Sequence, residues 1–251
     1  MQKDTKRIKA IFFDLDGTLT DYEASVDYAM ARLWERIKHV CPLPLEDFLS
    51  AQWEFLEDLE EREYRGEIPR KLLKDRGLRM QEFFRSLEPA LLDHLPDVGE
   101  LYTCLRRERI QLFPDTEATL AALSKGYALG VITEGTGPNQ RGQIKKTGIG
   151  HYFEHVVISD EVGLHKPEPA IFLKACEMAS VRPEEAALIG DRVDWDILPA
   201  QKAGMLTVLS KQQKHYGLRT NHGVEPDYTI TRFDELTDIF PVSSGPREVE
   251  L

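Results

Sequence analysis

The fold of this chain is decided near its N-terminus, by the stretch Ile8-Lys9-Ala10-Ile11-Phe12-Phe13-Asp14-Leu15-Asp16-Gly17-Thr18. It opens with a short apolar, partly β-branched run, Ile8–Phe13, which predicts a buried strand. Two aspartates separated by one leucine follow at once. Because ligands of open parallel sheets bind beyond the carboxyl ends of the strands, a strand that runs into Asp14 and Asp16 predicts a functional site at that edge.

Similar apolar runs recur along the chain and predict the rest of a sheet. Most are apolar on both faces, as strands of a parallel sheet covered by helices on both sides should be. The further predicted strands are Tyr127–Ile132, His155–Ile158, Ala186–Ile189, Leu206–Leu209 and Tyr228–Ile230. Helix-length segments lie between them, at Thr116–Ser124, Pro138–Thr147, Pro167–Ala179 and Trp195–Ala203. This alternation predicts an α/β fold with a Rossmann-like, doubly wound parallel sheet.

One segment breaks the alternation and predicts an inserted all-helical domain. Between about Glu23 and Arg107 the apolar residues recur at intervals of three and four, which marks one face of a helix. The spacing is clearest at Val26, Met30, Leu33, Ile37 and Val40. The predicted organisation is a core domain of residues 1–21 and 109–251, interrupted by a helical domain of residues 22–108.

The charge balance limits the classes of partner. A formal net charge of −11 argues against nucleic-acid binding, which needs basic surface to displace counterions. The same charge repels small phosphorylated molecules at long range. If phosphate binds here, a local cluster of cations and backbone N–H groups must overcome that field.

Other features predict a soluble protein of ordinary composition, without a disulfide framework or a structural zinc site. No apolar run approaches the roughly 20 residues that span a bilayer, so we expect no membrane association. The N-terminus lacks the apolar stretch of about 7–15 residues that a secretory signal contains, so we expect a cytoplasmic protein. Three widely spaced cysteines without a Cys-x-x-Cys pair argue against a disulfide framework and a structural zinc site. We expect a monomer or a small homo-oligomer.

The residue types at the predicted strand ends suit phosphoryl transfer. Asp14 and Asp191 offer the oxygen ligands that Mg²⁺ prefers. Asp14 can also act as a nucleophile, because carboxylates form aspartyl-phosphates. Asp16 can protonate a leaving alcohol and then activate the water that hydrolyses the intermediate. The Thr133 hydroxyl and the Lys166 ammonium can stabilise charge in the loose transition state.

Each signal alone also has a structural explanation. An Asp-x-Asp-Gly-Thr string can be a turn after a strand, Thr133 an ordinary cap, Lys166-Pro167 a surface loop, and Asp191 a cap of the next helix. The co-occurrence of all four, in order, at four strand ends favours the functional interpretation.

These residues carry a resemblance to a known family. The sequence resembles the haloacid dehalogenase superfamily of phosphotransferases over nearly the whole chain. Its four motifs look like Ile11–Leu19 (IFFDLDGTL), Val131–Gly135 (VITEG), Lys166–Phe172 (KPEPAIF) and Gly190–Ile197 (GDRVDWDI). The helical insertion resembles the cap of the family's first subgroup, which covers the site and contributes substrate selectivity.

The resemblance implies a role for each matched residue. Asp14 would be the nucleophile, Asp16 the acid/base, Thr133 a phosphate ligand and Lys166 a charge stabiliser that also contacts phosphate. Asp14, Asp191 and the backbone carbonyl of Asp16 would hold Mg²⁺.

The same motifs imply further site residues. Thr18, Glu134 and Gly135 are predicted to contact phosphate, although many relatives have Asn or Asp where this chain has Glu134. The second acid of the fourth motif is either Asp194 or Asp196. Asp196 is favoured by the Ile197 that follows it and would orient the inner residues.

Three functional hypotheses follow. The first is a Mg²⁺-dependent phosphatase for a small phosphorylated metabolite, such as a nucleotide, a sugar phosphate or phosphoglycolate. The second is a 2-haloacid dehalogenase, which uses the same nucleophile without a metal. As the resemblance implies, dehalogenases lack the second carboxylate, so Asp16 favours the phosphatase. The third is a catalytically silent binding or regulatory protein, which predicts the loss of a key group, and none is missing.

Overall fold

The structure, a computed structural model, describes residues 5–215 and 223–242. Within these residues a six-stranded sheet has the order β3-β2-β1-β4-β5-β6, and every neighbouring pair is parallel. The strands are β1 (Ala10–Phe13), β2 (Ala128–Thr133), β3 (His155–Ile158), β4 (Ala186–Gly190), β5 (Leu206–Ser210) and β6 (Tyr228–Ile230). The predicted fold class is confirmed, and each predicted strand lies within two residues of an observed one.

The described helices are, in chain order, α1 (Tyr22–Ile37), α2 (Leu45–Tyr64), α3 (Arg70–Lys74), α4 (Arg76–Leu87), α5 (Val98–Glu108), α6 (Thr116–Leu123), α7 (Gly137–Thr147), α8 (Ser159–Val162), α9 (Pro169–Met178), α10 (Leu198–Ala203) and α11 (Leu236–Ile239). A π-helical turn, Val193–Ile197, precedes α10. The helical segment predicted at Trp195–Ala203 is therefore observed to begin two residues earlier, at Val193, and its first turn is wider than an α-helical turn. None of the helices in the described part combines the length and apolar character that crossing a bilayer requires.

The sheet is buried on both faces because alternate side chains of each strand enter different hydrophobic clusters. Ile11 and Phe13 of β1 join one cluster with residues of α6 and α11. Ala10 and Phe12 join the other, with residues of α9 and α10. Burial on both faces explains why the strands read as continuous apolar runs.

The order of the strands places a crevice at β1. Within the sheet, β2 and β3 lie on one side of β1, and the chain then crosses over to place β4, β5 and β6 on the other side of β1. Such a reversal leaves the loops at the carboxyl ends of β1, β2 and β4 side by side, where α/β sheets bind ligands.

The chain forms two compact units, one of residues 1–23 and 111–251 and one of residues 24–110. Residues 24–110, whose backbone is fully described, form helices and turns and no strand. The core of this helical unit is aromatic, with Phe48 and Phe83 at 5.5 Å between ring centroids. Helices α4 and α5 approach closely where Gly77 faces Gly99. A Cβ on Gly99 would lie 2.3 Å from the Cα of Gly77, so a larger residue would not fit there. The boundaries predicted from the sequence differ from these units by two residues.

Candidate active site

The loop after β1 positions the two aspartates of the first motif. The backbone N–H of Asp14 donates to Ile189 O at 2.9 Å, which holds the end of β1 against β4. Gly17 then turns the chain with φ +95°, a conformation that disfavours other residues. A Cβ on Gly17 would lie 2.5 Å from Asp191 Oδ2. Glycine is therefore required both for the turn and for the close approach of Asp191.

A buried lysine lies among three carboxylates at the centre of this edge. Oxygens of Asp14, Asp191 and Asp196 lie within 4.8 Å of one another. Lys166, which is 1% exposed, donates from Nζ to Asp14 Oδ1 and to Asp196 Oδ1, both at 2.6 Å. One ammonium thus faces three acidic side chains, and the cluster carries excess negative charge if all are ionised.

The pKa values reflect this excess. Burial raises the pKa of Asp14 to about 7, against the lowering effect of Lys166 and together with the nearby Asp196. The pKa of Asp191 is raised well above its ordinary value by burial and by the charges of Asp14 and Asp196. Burial alone would lower the pKa of Lys166, but the two carboxylates it contacts raise it above the ordinary lysine value. Lys166 is therefore a permanent cation, and a further positive charge would favour the ionised carboxylates.

The donor set fits a bound cation at Asp14 and Asp191. Both oxygens of Asp196 already accept hydrogen bonds, one from Lys166 Nζ and one from the backbone N–H of Arg192 at 3.1 Å. Asp191 Oδ2, in contrast, is buried without a hydrogen-bond partner among the described residues. A buried carboxylate oxygen without a partner is costly unless a cation binds it.

The fourth motif contributes Asp196, and not Asp194, to this cluster. The π-helical turn brings Asp196 back to the end of β4, where a Cβ on Gly190 would lie 2.5 Å from the Asp196 Cβ. Asp194 instead pairs with the guanidinium of Arg192 at 3.0 Å, and its side chain is 20% exposed.

The residues predicted to contact phosphate fall into two groups. Thr133 is buried at the end of β2, beside β1, and Gly135 follows with φ +131°. The side chains of Thr18 and Glu134, in contrast, make hydrogen bonds to other residues of the protein. The Thr18 hydroxyl donates to Asp191 Oδ1 at 3.3 Å. Glu134 accepts the backbone N–H of Lys166 at 3.1 Å and contacts His165 Nδ1 at 3.0 Å.

The sequence interpretation did not identify two buried glutamines of α7. The side-chain amide of Gln143 donates to Asp16 Oδ2 at 3.2 Å and to Gln140 Oε1 at 2.7 Å. Their three-residue spacing, directly after the second motif, places them on one helix face, but it does not indicate the contact with Asp16, which lies 127 residues from Gln143 in the sequence.

We expect Lys166→Met to lower the free energy of unfolding by about 3–5 kcal/mol, because it leaves carboxylates buried without their cation. The matched control is Lys174→Met, since Lys174 pairs with Glu177 at the surface, where both side chains are at least 38% exposed. That change should cost less than about 1 kcal/mol. Denaturant unfolding of both variants measures the difference. Equal losses would show that Lys166 is not the cation that offsets the buried carboxylates.

The chain is similar to known proteins over most of its length. A family model described as haloacid dehalogenase-like hydrolase matches residues 8–204. A glyceraldehyde 3-phosphate phosphatase of Pyrococcus furiosus is 35% identical over 96% of both chains. Another, from Methanopyrus kandleri, is 34% identical over 92% of this chain and 97% of its own. The HAD-hydrolase YfnB of Bacillus subtilis, solved bound to magnesium, has the same fold, with a TM-score of 0.77 at 22% identity over 94% of this chain and all of its own.

Proposed function

Because this chain belongs to the haloacid dehalogenase-like hydrolases, we propose that it is a Mg²⁺-dependent phosphatase that transfers the phosphoryl group of a small monoester to Asp14. The observation that carries the proposal is the buried cluster in which Lys166 contacts Asp14 while Asp191 keeps an oxygen without a partner. The cluster supplies a nucleophile, a fixed cation and a place for a metal ion within a few ångströms.

Asp14, Asp191 and the backbone carbonyl of Asp16 would hold Mg²⁺. When bound, the ion supplies positive charge between the substrate phosphate and the carboxylates, which lets an anion approach this acidic chain. Side chains of the protein carry out the bond-making and proton-transfer steps.

In the first step an Asp14 carboxylate oxygen attacks phosphorus, and the bond from phosphorus to the ester oxygen breaks. Asp16 gives its proton to the departing ester oxygen, which leaves as the alcohol. In the second step Asp16 takes a proton from water, which attacks the phosphoryl group on Asp14 and releases inorganic phosphate. Asp14 and the protonated Asp16 are thereby regenerated. Lys166 and Thr133 stabilise charge on the phosphoryl oxygens in both steps.

Thr18 and Glu134 are assigned positioning roles in place of direct phosphate contacts. A hydroxyl that donates to Asp191 Oδ1 directs the other oxygen of that carboxylate toward the metal. A Glu134 carboxylate that accepts from the Lys166 backbone fixes the start of the loop that carries the lysine, and a negative side chain would repel phosphate.

The substrate proposed here is a small phosphate monoester of the triose phosphate type. It is supported by the relatives named glyceraldehyde 3-phosphate phosphatase, which match nearly the full length of this chain at 34–35% identity. Initial rates should be measured over a panel that includes glyceraldehyde 3-phosphate, sugar phosphates, phosphoglycolate and nucleotides. The proposal predicts the highest kcat/KM for the triose phosphate, and a higher value for any other class would replace it.

The alternatives predict different outcomes. A 2-haloacid dehalogenase would release halide from 2-chloropropionate without a metal, and Asp16 would be superfluous. A silent binding protein would hydrolyse none of the panel, although Asp14, Lys166 and Asp191 are all in place.

We expect hydrolysis of an aryl phosphate to require Mg²⁺ and to vanish in excess chelator, because Asp14 and Asp191 need a cation between them and the substrate. Restoring free Mg²⁺ should restore the rate, whereas Ca²⁺, which is larger and accepts looser geometry, should not. Rates are followed by absorbance of the released phenolate. Full activity in excess chelator would contradict the proposed mechanism.

A further inference from the structure

Two glutamines of α7 are buried beside the site, although glutamine is a mostly exposed residue type. Gln140 is 2% and Gln143 is 5% exposed. They lie one helical turn apart on the face of α7 that meets the loops after β1 and β2. A buried amide is costly unless it makes hydrogen bonds, so its partners indicate what it does.

The orientation of both amides follows from one backbone carbonyl. Gln140 Nε2 donates to Glu134 O at 2.5 Å, and a carbonyl oxygen can only accept. Gln140 therefore presents its own Oε1 to Gln143, whose Nε2 donates to it at 2.7 Å. The second N–H of the same Gln143 nitrogen is left for Asp16 Oδ2, at 3.2 Å.

The Gln143 carbonyl supports this assignment. Gln143 Oε1 is buried with no hydrogen-bond partner among the described residues. Rotating the amide by half a turn would break both hydrogen bonds of Nε2 and would bring Oε1 against the oxygens of Gln140 and Asp16. Gln143 therefore directs its nitrogen toward Asp16, while its own oxygen makes no hydrogen bond to the described residues.

We propose that Gln143 is a positioning residue that fixes Asp16 Oδ2 as a hydrogen-bond acceptor, so that the proton which Asp16 transfers is carried by Oδ1. The inference rests on the proposed function, in which Asp16 is the acid and base. A carboxyl group in which neither oxygen is held as an acceptor can carry its proton on either one, and only one arrangement presents the proton to the leaving group.

The effect depends on how much the leaving group needs a proton. An alkyl alkoxide is a poor leaving group and must be protonated as it departs, whereas an activated phenolate leaves without help. The value of kcat/KM reports the steps up to release of the alcohol, so it should depend on Gln143 for alkyl esters and much less for aryl esters. Hydrolysis of the intermediate requires Asp16 as a base whichever substrate was used.

The test compares Gln143→Met with wild type on glycerol phosphate and on p-nitrophenyl phosphate, with Mg²⁺ present. Methionine keeps the length of the side chain and removes the donor. Gln201→Met is the matched control, because Gln201 contacts Thr207 and Glu225 at the beginning of β5, at the opposite edge of the sheet. The ratio of the two kcat/KM values within one sample does not depend on how much of the variant is folded.

We expect Gln143→Met to lower kcat/KM for glycerol phosphate about tenfold, as for the loss of one hydrogen bond, and to lower that for the aryl ester less than about threefold. The acid-quenched phosphoenzyme should increase with the aryl ester. Equal losses on both esters, or values that match Gln201→Met, would overturn the proposal. The proposed function fails separately, if wild type hydrolyses neither ester or if Asp14→Asn retains the wild-type rate.

Discussion

Asp14→Asn should abolish turnover of every phosphate monoester and lower kcat by at least about 10⁴-fold, as loss of a covalent nucleophile does in other enzymes. An amide oxygen is a far weaker nucleophile than a carboxylate and cannot form the aspartyl-phosphate. The substitution removes one negative charge from a cluster of three carboxylates, and Lys166 keeps its contact with Asp196 at 2.6 Å, so the protein should remain folded. Acid quenching with ³²P-labelled substrate should label wild type and leave the variant unlabelled.

The matched control for this experiment is Asp194→Asn. Asp194 is an aspartate of the same edge of the sheet, but its contact is with Arg192, and it lies outside the carboxylate cluster. Its substitution should change kcat less than about threefold. Covalent labelling of the Asp14→Asn protein, or a rate within tenfold of wild type, would assign the nucleophile elsewhere.

The strands could be predicted from the sequence because burial on both faces makes them apolar throughout. His155–Ile158 and Tyr228–Ile230 are observed with the predicted bounds, and the other strands shift by one or two residues at their ends. The ends are harder to predict, since the hydrogen bonds of a terminal residue depend on its neighbour in the sheet. The π-helical turn at Val193–Ile197 has no signal in apolar spacing, because it depends on the close packing of Asp196 against Gly190.

The acidic and basic residues of the site could be predicted as a group, because the carboxyl ends of parallel strands meet at one edge. The contacts that each side chain makes could not be predicted. Thr18 and Glu134 carry groups able to bind phosphate or metal, yet their observed partners are Asp191 and the Lys166 backbone. Such pairings are decided by distances between segments far apart in sequence. Gln143 was missed for the same reason, since its partner Asp16 is 127 residues away.

Asp16→Asn should lower kcat for an alkyl phosphate by about 10²–10⁴-fold, the range expected for loss of general acid–base catalysis. Asparagine keeps an oxygen that can accept the N–H of Gln143, observed at 3.2 Å in the unmodified protein, and it keeps the backbone carbonyl. The variant therefore lacks only the transferable proton and the later base. Steady-state rates on alkyl and aryl esters, with quantification of the phosphoenzyme, measure both losses.

The two steps should respond differently in this variant. With an aryl ester the phosphoryl group should still reach Asp14, because phenolate leaves without a proton, and labelled enzyme should accumulate while its hydrolysis is slow. With an alkyl ester the first step should be slow as well, and little label should form. A double variant with Asp14→Asn should be no slower than Asp14→Asn alone, since residues that act as a unit do not add. Equal losses on both esters without labelled intermediate would show that Asp16 supports the site only structurally.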